Sequence, residues 1–246
     1  MARARGEPGH RQYAAGRVSA ARAYDRAVLA NGGWDQAAVS AVLLVSYATP
    51  YAVRARTLAR RGQPVPRIRM ACFAAGLALL VAAVAPPVDV AASERLTAHM
   101  LEHLVIGDIA PLLVVLGLTG PLLAPLLRTR ALRRARGLSH PVVAVALWAL
   151  NLYLWHLRPA YEAAVAHDLV HVVQHACFFA FGASLWLALL GPLPRPEWFG
   201  NGARLAYVLV VTLAGTMLAY GFIWSDVAFY PHYVATAERA GRSAIA

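Results

Sequence analysis

Long apolar runs separated by short arginine-rich stretches constrain this chain more than any other feature. They fall near 36–53, 70–88, 100–127, 140–157, 168–190 and 203–224. A helix needs roughly 20 residues to cross a hydrocarbon core about 30 Å thick, and each run is of that order. Backbone groups in lipid must hydrogen-bond internally, so only helices and closed barrels can cross. The runs lack the period-two alternation of barrel strands. The expected fold class is therefore all-α, a polytopic transmembrane helix bundle with six visible spans.

Composition agrees. Of 246 residues, 59% are hydrophobic and 14% charged, against about 45–50% and about 25% in soluble domains. The formal net charge is +11. In a soluble protein that balance would raise nucleic acid as a partner. Here the arginines lie between apolar runs, where they meet lipid headgroups, and no basic patch interleaved with readout residues occurs. Cys72 and Cys177 both fall inside apolar runs and make no disulfide framework. Residues 1–33, rich in Ala, Arg and Gly, read as a basic tail with a short interfacial helix at 17–30. Residues 34–246 read as the bundle. No cleaved signal peptide is expected, because no short apolar stretch with a small-residue cleavage site follows the first arginines.

The loops set an orientation. Arg54, Arg56, Arg60, Arg61, Arg67 and Arg69 fill the first, Arg128, Arg130, Arg133, Arg134 and Arg136 the third, Arg195 and Arg204 the fifth. The second and fourth hold only Arg95 and Arg158 against Asp89, Glu94, Glu162 and Asp168. Positive-inside counting puts the odd loops in the cytoplasm and the N-terminus outside, although the tail is itself basic. Pro50, Pro111, Pro121 and Pro125 lie within or at the ends of these helices, where each removes a backbone donor. Tryptophans and tyrosines, Tyr161 among them, gather near helix ends as an aromatic belt.

Seven of the nine histidines fall on the outer side under this topology: His99, His103, His156, His167, His171, His175 and His232. His99 and His103 stand at i, i+4, and His167, His171 and His175 at i, i+4, i+8, so each set lies on one helix face. Imidazole is the commonest protein ligand for transition metals. Ionisable groups in membrane spans are costly and face the bundle interior, where they serve function. Metal or haem binding is the leading reading of the two stripes, with a polar structural network and a proton pathway as alternatives. His99-Met100-Leu101-Glu102-His103 also fits the inverted zinc-protease pattern, but so short a string arises easily in a His-rich chain. Glu102 reads as a buried partner of a histidine. Met100 and Cys177 place soft sulfur nearby, Gln174 flanks the second stripe, and Asp108 lies deeper on another face of the third helix.

The stretch His99-Met100-x-x-His103-Leu104, continued by Ala110-Pro111-Leu112-Leu113-Val114-Val115-Leu116-Gly117, resembles the CtaG-type, caa3-oxidase-associated cytochrome c oxidase assembly factors. So do His167-x-x-x-His171-x-x-x-His175 and Gly221-Phe222-Ile223-Trp224. The likeness covers roughly 34–246. It implies a bacterial multipass plasma-membrane protein that helps mature haem–copper oxidase at the copper-insertion step. It also implies an oxidase subunit or other assembly factors as partners, and no bond-making chemistry of its own. Carried over by position, the expected metal ligands are His99, His103, His167, His171 and His175, holding copper on the outer side. Two departures stand out. Gln174 replaces the family's usual glutamate before the last histidine, and the sequence stops at Ser243-Ala244-Ile245-Ala246, where the family's seventh helix is expected. The runner-up is a haem-binding electron carrier with one axial imidazole from each stripe.

Overall fold

The computed structural model describes residues 41–129 except 43, residue 137, residues 140–225 except 194, and Tyr230 and Tyr233. The basic tail, its interfacial helix and His232 lie outside the described residues. All regular elements among those described are helical. We label them α1 (44–60), α2 (Arg67–Ala83), α3 (Pro86–Glu94), α4 (Leu96–Gly117), α5 (Pro141–His156), α6 (Arg158–Ala166), α7 (Asp168–Leu190) and α8 (Asn201–Ile223). One-turn helices follow α4.

The six-span expectation is overturned. Among the described residues three helices are long and apolar enough to cross a membrane: α4, α7 and α8. The runs at 168–190 and 203–224 correspond to α7 and α8. The run at 70–88 does not stay helical. Helix α2 has 17 residues and ends where the chain turns at Val84–Ala85, ahead of Pro86, which opens α3. The run at 140–157 gives only 16 helical residues, about 24 Å at 1.5 Å per residue, short of a core about 30 Å thick. Leu157 is extended there, two residues before Pro159. The run at 100–127 starts earlier, at Leu96, and breaks at Leu118 and Thr119, both extended, just before Gly120-Pro121. Of the run at 36–53, residues 36–40 lie outside the described set, and its helix continues to residue 60. Hydropathy is blind to these breaks, because proline and glycine interrupt a helix without interrupting an apolar run.

Helix α4 is central. It packs against α2 on one side and α7 on another, while α5 joins α7 to α8. Phe73, Leu77 and Leu80 of α2, Ile106, Ala110 and Val114 of α4, and Phe178 of α7 form one core. Ala144 and Trp148 of α5, Leu185 and Leu189 of α7, and Tyr207 of α8 form a second. In α8 only Tyr207 is buried.

The α4–α7 contact is built around a π-turn at Val105–Ile109. The Ala110 N–H bonds to the Val105 carbonyl, five residues back. Pro111 has no N–H to offer the Gly107 carbonyl. A Cβ on Gly182 would overlap that carbonyl, so only glycine lets the two backbones meet. Trp186 donates its indole N–H to the neighbouring Asp108 carbonyl at 3.0 Å. At the far end of α4 the terminal carbonyls are also satisfied from outside. Tyr51 donates to Gly117 O at 3.1 Å, and Arg69 donates to Leu116 O at 3.0 Å and Leu118 O at 2.9 Å.

Gly182→Ala is expected to destabilise the bundle by about 1–3 kcal/mol through overpacking against backbone, read as a lower melting temperature in detergent. Gly215→Ala on α8, where an added Cβ meets nothing within 4 Å, should leave that temperature unchanged or raise it. Equal effects at the two positions would refute the close-packing account.

Candidate metal centre

His99 and His103 occupy the first turns of α4, just after Arg95, whose extended backbone starts the helix. His171 and His175 occupy the first turns of α7, after His167, which is extended in the same way. Residues four apart share a helix face, so each helix offers two imidazoles one above the other. Their ring centroids are 4.2 Å apart on α4 and 4.1 Å apart on α7. Across the interface His99 meets His171 at 5.7 Å and His103 meets His175 at 5.5 Å. Four imidazoles thus stand at the corners of a small quadrangle between two helices.

Glu102 lies in the same interface. It is 2% exposed, as is His99, and His103 is 5% exposed. Its Oε1 approaches His175 Nε2 at 3.6 Å. Two sets of three donors each converge within 4.8 Å: His99, His103 and His171, and Glu102, His171 and His175. Both ring nitrogens of His103 and both polar atoms of the Gln174 carboxamide are buried without a hydrogen-bond partner among the described residues. Leaving such atoms unsatisfied costs about 1–3 kcal/mol each. An ion bound by His103 would remove part of that cost, so the donor set fits a metal.

Four of the five expected ligands come together. His167 does not. It sits exposed at the N-cap of α7, its backbone N–H bonded to Ala163 O at 3.1 Å, and belongs to neither donor set. The spacing argument extends its face one turn too far, since the helix starts only at Asp168. Cys177 and Asp108 are likewise outside both sets. His156 borders the cluster, its ring 6.2 Å from His103. Its Nδ1–H donates to Leu152 O at 2.6 Å, which fixes the tautomer.

A tyrosine roof, not foreseen from the sequence, closes the cluster beside His99, at the start of α4. The Tyr161 ring lies 5.0 Å from that of His99. Its hydroxyl donates to Tyr233 Oη at 2.9 Å, and Tyr233 donates to Ala92 O of α3 at 2.8 Å. Tyr230 stacks on Tyr161 at 3.7 Å and donates to His156 O at 2.9 Å. Burial pushes the Tyr161 and Tyr230 hydroxyls up, and Tyr233 up to about 12. All three therefore stay protonated and donating at neutral pH. Aromatic residues near helix ends are read as an interfacial belt, so the only available signal was the pairing of Tyr230 with Tyr233 one helical turn apart.

Fold and cluster together define an α-helical membrane protein with a buried His/Glu donor set able to hold a metal ion. Residues 49–246 match the family described as cytochrome c oxidase caa3 assembly factor (Caa3_CtaG), and the chain belongs to that family. Assembly factors of this type are non-catalytic. The chain is 26% identical over 190 residues to uncharacterized protein Mb0105 of Mycobacterium bovis and to uncharacterized protein MT0111 of Mycobacterium tuberculosis. It is also 26% identical over 195 residues to uncharacterized protein ML1998 of Mycobacterium leprae. Each match takes in 71% of this chain but only 28% of the relative's length. No solved structure matches.

Tyr233→Phe removes a donor to Ala92 and an acceptor for Tyr161. The expected cost is about 1–3 kcal/mol of stability, measured as a lower melting temperature in detergent. An unchanged melting temperature would show that the roof contributes nothing to the fold.

Proposed function

We propose that this chain is a membrane-embedded assembly factor for haem–copper oxidase that holds a copper ion between α4 and α7 and presents it to a maturing oxidase subunit. One observation carries the reading. His99, His103, His171 and His175 converge with Glu102 in a buried interface of a chain whose family is defined by oxidase assembly. Imidazole-rich sites suit copper, and haem–copper oxidase is a natural recipient. An ion fits among donors within 4.8 Å of one another. A porphyrin instead needs two imidazoles held apart on opposite faces of a wide macrocycle, which disfavours the haem-carrier alternative.

The cluster is proposed to face outward. His99 opens α4, whereas Arg54 and Arg69 bind carbonyls at and beyond its C-terminal end. The 22 residues of α4 span about 33 Å, so the histidine end and the arginine end lie on opposite sides of a bilayer. Positive-inside preference assigns the arginine end to the cytoplasm.

Metal analysis of the purified protein tests the proposal. The wild type should carry copper and the His99→Ala/His171→Ala double variant should lose it, with no strong Soret absorbance in either. Unchanged copper in the double variant would refute the site, and a strong Soret band would favour the haem carrier instead.

A further inference from the structure

Building on the proposed metal-holding role, we infer that the cluster is two overlapping three-ligand positions pivoting on His171, between which a single ion exchanges. One position is His99, His103 and His171; the other is Glu102, His171 and His175. His171 alone belongs to both.

The geometry separates the two. His175 Nε2 approaches the Glu102 carboxylate at 3.6 Å, and His175 converges with Glu102 and His171 but is not in the set formed with His99 and His103. His103 is set edge-on to His175, at 89° between ring planes, and belongs only to the first position. Neither set of three converging donors contains His103 and His175 together, so the two rings serve different positions of one ion. Simultaneous occupation is excluded by charge. A neutral His171 has one lone pair to give, so bridging two ions would require stripping its remaining proton. Two cations a few ångströms apart in apolar surroundings would also repel strongly.

The positions differ chemically. Three imidazoles make a neutral set, whereas the carboxylate of Glu102 adds a negative charge and a hard oxygen, which favours a divalent ion over a monovalent one at the second position. An ion can pass from one set to the other while His171 keeps hold, exchanging His99 and His103 for Glu102 and His175. No intermediate then falls below one protein ligand. That is the property required of a protein that must hold an ion inside a membrane and still give it up.

The test is competitive Cu(I) titration of the full chain in detergent, comparing wild type with His103→Ala, His175→Ala, His103→Ala/His175→Ala and His171→Ala. Glutamine replacements serve wherever an alanine variant fails to fold. If the two positions are of comparable affinity, removing one costs about twofold, so each single variant at 103 or 175 should still bind one ion. His171→Ala and the double variant should lose at least about a hundredfold, because both positions are damaged. Zn(II) should be weakened more by Glu102→Gln than Cu(I) is. Losses at 103 and 175 as large as at 171 would show one four-histidine site and overturn the inference while leaving the metal-holding role intact. Two Cu(I) per wild-type chain would overturn the single-ion exchange. No Cu(I) or Zn(II) binding by wild type would overturn the underlying role itself.

Discussion

The contact between Gly107 and Gly182 is the constraint on which the rest of the site depends. Two helices whose backbones touch have no freedom to slide, because the carbonyl of one occupies the space where the other would carry a Cβ. The π-turn at Val105–Ile109 supplies the projecting carbonyl, and Pro111 ensures that the ordinary i+4 donor for it is missing. Trp186 ties down the next carbonyl from the α7 side. Counting back one turn from Gly107 reaches His103, and back two turns from Gly182 reaches His175. The ring pairs His99–His171 and His103–His175 therefore form in register as a consequence of the glycine contact. A shift of one residue in either helix would move a histidine about 100° around its helix and disperse the quadrangle.

Burial then gives the quadrangle its chemistry. Four imidazoles and a carboxylate in an apolar interface are expensive in isolation, and His103 and Gln174 carry polar atoms with no protein partner among the described residues. Structural polar networks inside proteins are normally fully satisfied. A network that is satisfied on its rim, by Tyr161, Tyr233 and the Leu152 carbonyl, yet short of partners at its centre is arranged for something that arrives from outside. The roof adds to this, since tyrosines that stay protonated keep α3, α6 and the segment after α8 joined over His99 without adding charge.

Much of this was legible in the sequence, and the failures share a cause. Periodicity placed His99 with His103 and His171 with His175, because i, i+4 spacing within one helix is a local property. The spans at 168–190 and 203–224 were legible for the same reason, being uninterrupted. Local reasoning failed where a helix boundary decided the matter. His167 shares the i, i+4 spacing of His171 but stands one residue before the helix starts, the runs at 70–88 and 100–127 stay apolar across breaks at Pro86 and Pro121, and the run at 140–157 is simply a helix of 16 residues. The tyrosine roof was out of reach because Tyr161 and Tyr233 are 72 positions apart. The glycine contact was equally hidden: Gly107 and Gly182 have nothing in their own sequence surroundings to distinguish them from Gly215, which touches nothing.

The loss of spans on passing from sequence to structure leaves the proposed orientation of the site standing, since that proposal rests on one helix. Helix α4 carries histidine at its first turns and is capped at its last by Arg69 and Tyr51. Whatever α1, α2 and α5 do at the membrane, the proposed ion site at His99 and His171 and the Arg69 guanidinium stand at opposite ends of α4. The arginines serve two ends at once. Arg69 bonds the Leu116 carbonyl of α4 and the Leu118 carbonyl just after it, Arg54 bonds Pro121 O beyond, and as cations both prefer the cytoplasmic headgroups. A helix whose negative end is held by arginine also has its positive end at the metal site. That end disfavours a cation, and the Glu102 carboxylate, nearly two turns inside the helix, supplies the negative charge that makes the interface hospitable to a metal ion.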